Sequence, residues 1–391
     1  MKITQIRTQP YQFEFTRPIG DANNPYGGSY VGGLAVFVDT DDGLTGITFS
    51  SAAVEPFLRG LADAYLIGQD PRGVRGLWQK MVDAVFKANN RGILNDAIGA
   101  LDIALWDLKA KANNEPLWKT LGATVPKAKA YASGIDLNLT DDEIRQFYTR
   151  MAAQGVSAGK LKVGLDIDSD LRRIGIMYDA LATSGKKPQL MIDSNEYWSP
   201  KQAIRHISYF EKHVDLVWVE EPARRWDYRG LRKVSEGVKA AVATGENLDD
   251  ISEFTPLIAN EAVDIVQFNH GCSGITGALM VADLAYAFEL PVAMMNCAAN
   301  FMAHVAAAIP NHMMMEVVDA GQDAAMIHDH HIEDGWIVLT DKPGLGIEFD
   351  MAKLDELARY KPADGVRPIG WGRRRGAGLY EVGPDETENL S

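Results

Sequence analysis

Gly159-Lys160-Leu161-Lys162-Val163-Gly164 is a short apolar run carrying two lysines, and three runs of the same kind follow it. Met191-Ile192-Asp193-Ser194-Asn195, Trp218-Val219-Glu220-Glu221-Pro222 and Ala243-Thr244-Gly245-Glu246-Asn247 each finish in charge where an apolar strand should stop. Outward from these, apolar centres near Tyr131, Leu161, Leu190, Val217, Val242, Val266, Val292 and Met314 alternate with amphipathic segments. Their spacing of roughly 20–30 residues is the rhythm of repeated strand–helix units. Eight such strands in one run predict a closed (β/α)8-type barrel rather than an open sheet, with function at the C-terminal strand ends.

The strand ends then suggest a chemistry. Neighbouring barrel strands lie about 4.8 Å apart, so Asp193, Glu220 and Glu246 can converge on one point. Any one of them alone reads equally well as a solvated strand end or a helix cap. Three on consecutive strands repel one another unless a cation sits between them, and oxygen-only donors favour Mg²⁺ first and Mn²⁺ second. Lys160 and Lys162 are two apart, so they share one face of their strand. Two ammonium groups on an inward face lower each other's pKa, and a lysine brought down to roughly 7–8 is a competent general base.

Composition bounds the partners. The 391 residues are 46% hydrophobic and 24% charged, ordinary for a globular protein long enough for two domains. A formal charge of −14 and a pI near 5.1 repel phosphate backbones and anionic lipid, so neither nucleic acid nor membrane is expected as a partner. An anionic substrate would need local cations, which the two lysines supply. Cys272 and Cys297 are too few for a disulfide framework and read as small buried thiols. Met1–Phe13 has no apolar core of the secretory kind, and the expected location is cytoplasmic.

Before the barrel the chain reads as mixed α+β. Thr4–Phe15 and Gly33–Asp39 are expected strands, and Ile19–Gly33, rich in Gly, Asn and Pro with Tyr26 and Tyr30, an expected loop. A helix is expected from a cap at Asn95 or Asp96 to Asn113-Asn114. Beyond Met314 the pattern becomes hairpin-like around Gly335-Trp336 and Pro343-Gly344-Leu345-Gly346. His328-Asp329-His330-His331 reads as a solvated turn, and the tail from Trp371 as a wrapping or fraying end.

Lysines at 160 and 162, then Asp, Glu and Glu spaced by 27 and 26 residues, resemble the mandelate racemase subgroup of the enolase superfamily. The likeness extends to Ala104-Leu105-Trp106-Asp107-Leu108, Glu220-Glu221-Pro222, Gly245-Glu246-Asn247 and the late Pro-Gly-Leu-Gly. It implies a modified TIM barrel, (β/α)7β, at 126–320, an α+β capping domain at 1–125, and a segment 321–391 packing back on the cap. It further implies Mg²⁺ on Asp193, Glu220 and Glu246, Lys162 as base, Lys160 on a substrate carboxylate oxygen, and Glu316 as an acid bonded to that carboxylate. Cap segments Ile19–Tyr30 and Ser50–Val54 would close over a small carboxylate substrate, with Tyr26 and Asn195 among its contacts, and a homo-oligomer is expected.

One departure separates the possible reactions. The subgroup carries an Asp on strand six and a His on strand seven as a second base. Here Asn269 and Asn296 stand nearest those places, each with a one-residue shift, and asparagine cannot act as a base near neutral pH. His270 is the remaining candidate acid or base, although strand pleat turns it away if Asn269 points inward. The expectation is Mg²⁺-dependent syn elimination of water from an acid sugar to a 2-keto-3-deoxy acid, Asn269 and Asn296 binding substrate hydroxyls. The alternatives are a racemase, epimerase or lactone cycloisomerase, and a metal- and acid-binding protein without turnover.

Overall fold

A three-stranded antiparallel sheet opens the chain in the computed structural model, which describes residues 1–370 and Gly372. Its strands are β1 (Ile3–Ile19), β2 (Gly28–Thr40) and β3 (Thr45–Ser50). The expected loop over 19–33 is therefore shorter than its composition suggested. Glu14↔Tyr30 and Ile19↔Gly28 are paired, so a glycine-rich stretch is held as strand by its partner rather than by its own propensity. Helices α1 (Glu55–Tyr65), α2 (Val74–Ala84) and α3 (Ile93–Ala112) cover this sheet. The start of α3 corrects the expected cap. Gly92 precedes the helix, while the Asn95 side chain is drawn away to the Gly271 carbonyl and Ser273.

After the short helix α4 (Leu117–Thr120) the barrel begins. It runs β4 (Lys127–Ser133), α5 (Asp141–Ala153), β5 (Ala158–Lys162), α6 (Ile167–Ala182), β6 (Gln189–Asp193) and α7 (Pro200–Phe210). It continues β7 (Leu216–Glu220), α8 (Tyr228–Gly237), β8 (Ala241–Thr244), α9 (Ile251–Ala259), β9 (Ile265–Phe268) and α10 (Gly274–Ala287). It ends with β10 (Val292–Met294), α11 (Ala303–Ala308) and β11 (His312–Val317). The strands pair in parallel in sequence order, and β11 pairs with β4 to close the ring. β11 leads into β12 (Met326–His328) without an intervening helix, so the barrel is (β/α)7β and not eight full repeats. The lumen is filled by Tyr131, Ala158, Met191, Trp218, Ala243, Ile265, Ala293 and Met314, a packed floor beneath the charged strand ends.

The remaining chain ties barrel to cap. β12 (Met326–His328) pairs with β15 (Ile347–Phe349), and β13 (His331–Glu333) forms a hairpin with β14 (Trp336–Val338), which pairs antiparallel to β4. After α12 (Met351–Leu357), the Ile369 N–H donates to the Tyr30 carbonyl at 2.8 Å, and Asp355 accepts from Gln9 at 2.9 Å. The Pro-Gly-Leu-Gly loop docks on α3, the Leu345 N–H donating to Asp107 Oδ1 at 2.8 Å. In the solvated turn expected at 328–331, Asp329 and His331 are exposed, but His330 is not. His330 is buried, its Nδ1 bonds the Ala299 carbonyl at 2.8 Å, and its ring meets His304 edge-on at 5.3 Å. Burial there comes from the hairpin folding over the barrel rim, which local composition does not encode. The expected wrapping tail lies outside the described residues. Among the described residues no helix is long and apolar enough to cross a membrane.

Candidate active site

Register brings the charged residues together. Lys162 on β5 stands opposite Asp193 on β6, and Asp193 opposite Glu220 on β7, so one row of the lumen carries three of them side by side. Lys160 lies one pleat below, beside Met191. Glu246 follows β8 through Gly245, whose φ of +129° only glycine adopts readily. Glu316 enters from β11. The Asp136 carboxylate anchors the row from behind: it accepts from the Lys162 N–H at 3.0 Å and the Tyr148 hydroxyl at 2.8 Å.

The site is a dense, buried ion cluster. Lys162 Nζ is 2.5 Å from Asp193 Oδ2. Lys160 Nζ is 3.0 Å from Glu316 Oε1 and 3.4 Å from Asp193 Oδ2, and it also meets Glu220. Donor atoms of Asp193, Glu220 and Glu246 all lie within 4.8 Å of one another. Glu246 has no cationic partner within 4 Å among the described residues. Burial pushes its carboxyl up to about 7 against the pull of Lys162, with Asp193 pushing further. Burial raises Glu220 as well, while the two lysines override burial at Asp193 and hold it near 2. Excess buried negative charge on three hard oxygen donors is what a divalent cation such as Mg²⁺ satisfies, so this trio could hold one.

The lysines overturn one expectation. Burial works to lower both pKa values, as does each ammonium on the other, but the carboxylates prevail and both stand above the ordinary lysine value. Residue spacing shows the second lysine; it does not show that carboxylates stand closer to each nitrogen.

Around the cluster lies a polar cavity of about 610 Å³, lined by Lys162, Glu246, Glu316, Asn195, Asn269, His270 and Asn296 among others. Pleat does not govern His270, because β9 stops at Phe268. Asn269 and His270 therefore both reach the cavity, His270 resting on Phe49 and Phe301 with burial depressing its pKa to about 4. The Asn296 amide is engaged within the protein: it donates to Glu316 Oε2 at 2.5 Å and accepts from Gln322 at 2.8 Å. Asn195 takes φ +46° and its N–H donates to Asp193 Oδ1 at 2.8 Å. Tyr26 is 61% exposed, lies 5.3 Å from the Arg367 guanidinium, and is not among the residues lining this cavity.

Several participants were not anticipated. Gln267 donates to Glu220 Oε2 at 2.6 Å from the lumen face of β9, the face that period-two spacing from Ile265 assigns it. Asp21 and Asn23 of the cap, and Arg224, Arg225 and Trp226 after β7, line the cavity through loop conformation. Arg225 is locked to Glu196 at 2.6 Å.

Residues 31–122 match the model of the mandelate racemase / muconate lactonizing enzyme N-terminal domain, and residues 143–353 the enolase C-terminal domain-like model. The chain is 30% identical over 333 residues to the 3,6-anhydro-alpha-L-galactonate cycloisomerase of Streptomyces coelicolor, covering 83% of this chain and 91% of that one. It is also 30% identical over 314 residues to the L-talarate/galactarate dehydratase of Salmonella typhimurium, covering 78% and 77%. A crystal structure of a Streptomyces coelicolor racemase with bound magnesium aligns with a TM-score of 0.83 at 29% identity, over 91% of this chain and 99% of that one.

Proposed function

This chain belongs to the mandelate racemase and muconate lactonizing enzyme family of the enolase superfamily, and we propose that it dehydrates an acid sugar to a 2-keto-3-deoxy acid. The observation that carries this reading is the one-sided placement of lysine. Lys162 stands in register with Asp193 and Glu220, whereas Asn269 and Asn296 stand nearest, each with a one-residue shift, to the places where the resemblance implies a second base.

Asp193, Glu220 and Glu246 would hold Mg²⁺, which when bound supplies positive charge to the substrate carboxylate as its α-carbon loses a proton. Lys162 takes that proton. The electron pair left behind forms the Cα–Cβ double bond as the Cβ–O bond breaks. The same ammonium then protonates the departing hydroxyl, and water leaves from the face the proton left. Lys160, wedged between Glu316 and Glu220, presents its ammonium to a carboxylate oxygen and stabilises the charge that builds there. The released enol tautomerises to the ketone. Lys162 must be neutral to begin. Asp193, Glu246 and Glu220 raise the Lys162 pKa while burial and Lys160 lower it, so a cation held by those three carboxylates would weaken the raising side and favour the neutral amine.

His270 supports a second reading. It lines the same cavity as Lys162 and is held neutral by burial, so it is competent as a base in an isomerisation. A cycloisomerase and a dehydratase stand equally close by identity. The test is a screen of purified protein with Mg²⁺ against aldonic and aldaric acids, with semicarbazide detection of keto products and Lys162→Ala alongside. A keto product absent in the variant supports dehydration. α-Deuterium uptake without a keto product favours the isomerase, and neither signal with any acid removes both.

A further inference from the structure

His270 and Asn296 line two chambers at once: the polar cavity of Lys162, and a second space of about 360 Å³ between the cap and the barrel mouth. Tyr11, Phe13 and Phe15 alternate along β1 and so face the same way, their rings 5.8 Å and 5.5 Å apart in succession. Phe49 and Ile103 line the same space.

We infer that this second chamber is the subsite for the non-reacting end of the substrate, and that this end is apolar: an acid sugar terminating in a deoxy methyl or longer alkyl group. The inference rests on the α-proton chemistry proposed above and narrows its substrate class. Ser50, Ser51 and Gln322 also line the chamber, but a terminal hydroxyl or carboxylate against the aromatic rings and Ile103 gives up water for few partners. A terminal carboxylate would also meet Asp96, which lines the chamber, whereas Arg224 and Arg225 line the polar cavity instead. The chamber has unfilled room. Gly32 pairs with Gln12 and so would carry a side chain to the opposite face, whereas Val31, paired with Phe13, shares the aromatic face and lines the chamber.

The experiment titrates a matched set of acids into Mg²⁺-loaded full-length protein carrying Lys162→Ala, which stops turnover. The set is a hexonate, its 6-deoxy form, the form lengthened by one further methylene, and the corresponding aldarate. Affinity is expected to rise about fourfold per added methylene, with the aldarate weakest. Val31→Phe, which adds volume on the aromatic face, is expected to flatten the series. The series in the unfilled chamber stands on its own if that variant folds poorly. Equal affinities, a preferred aldarate, or a preference that survives Val31→Phe would overturn the apolar subsite and leave the α-proton reading intact. Absence of Mg²⁺-dependent binding by every acid would overturn both.

Discussion

Lys162 Nζ and Asp193 Oδ2 lie 2.5 Å apart on facing positions of adjacent barrel strands, so the proposed base and a proposed metal donor share one ion pair. Base and metal are thereby linked: whatever competes for Asp193 changes the protonation of Lys162. Most of the expected behaviour of the site follows from that link.

Lys162→Ala is expected to lower α-deuterium wash-in from solvent by roughly 10²–10⁴-fold, the range for losing a positioned general base. Exchange at the parental rate would reassign the base to another group.

Chelation is expected to abolish turnover, and Mg²⁺ to restore it while raising the melting temperature. At a hundredfold excess over its dissociation constant the ion adds about 2.7 kcal/mol. A melting temperature indifferent to Mg²⁺, with turnover surviving EDTA, would remove Asp193, Glu220 and Glu246 as a metal site.

Gln267→Met keeps the volume of a buried lumen residue but deletes the 2.6 Å bond to Glu220. Mg²⁺ affinity or kcat is expected to fall roughly 10–100-fold, as when a partner orienting a metal ligand is removed. Titration calorimetry with Mg²⁺ separates this from a folding defect.

His304 accepts from the Trp118 N–H at 3.0 Å and bonds the Leu345 carbonyl at 3.0 Å, and burial, aided by His330, depresses its pKa to about 3. A depressed folded-state pKa gives stability that is present above the free value of 6.5 and is lost as pH falls toward 3. His304→Gln is expected to cost about 1–3 kcal/mol at pH 7.5. That cost should shrink by roughly 1.4 kcal/mol per unit below pH 6.5, as read by urea melts at both ends of the range. A cost independent of pH would mean that the imidazole takes up its proton equally in the folded and unfolded states.

Gly46 lies where β3 crosses α3, and a methyl there would run into the Ala104 carbonyl and Leu108. Gly46→Ala is expected to destabilise by about 1–3 kcal/mol through overpacking, with activity per folded molecule retained. Thermal melts beside kcat of the soluble fraction check both halves.

How far the site was legible depended on periodicity. Lys160, Lys162, Asp193, Glu220 and Glu316 lie within regular strands, where the two-residue repeat says which face each side chain takes. Asn269, His270 and Asn296 lie past the last paired residue, where the repeat no longer applies. There His270 came to rest on Phe49 and Phe301, and Asn296 on Glu316. Tyr26 lies in a turn, and loop composition does not encode the direction a turn takes.

The amino-acid sequence by itself determined the strand–helix rhythm, the barrel, and the row of charges at its mouth, because these depend on local alternation and on residue type. Tertiary structure alone decided the charge state of the lysines, the engagement of Gln267 with Glu220, and the apolar chamber between β1 and the barrel. Each of those depends on distances between residues far apart in the chain. Electrostatic and packing energies change over a few ångströms, a scale that neither composition nor spacing resolves.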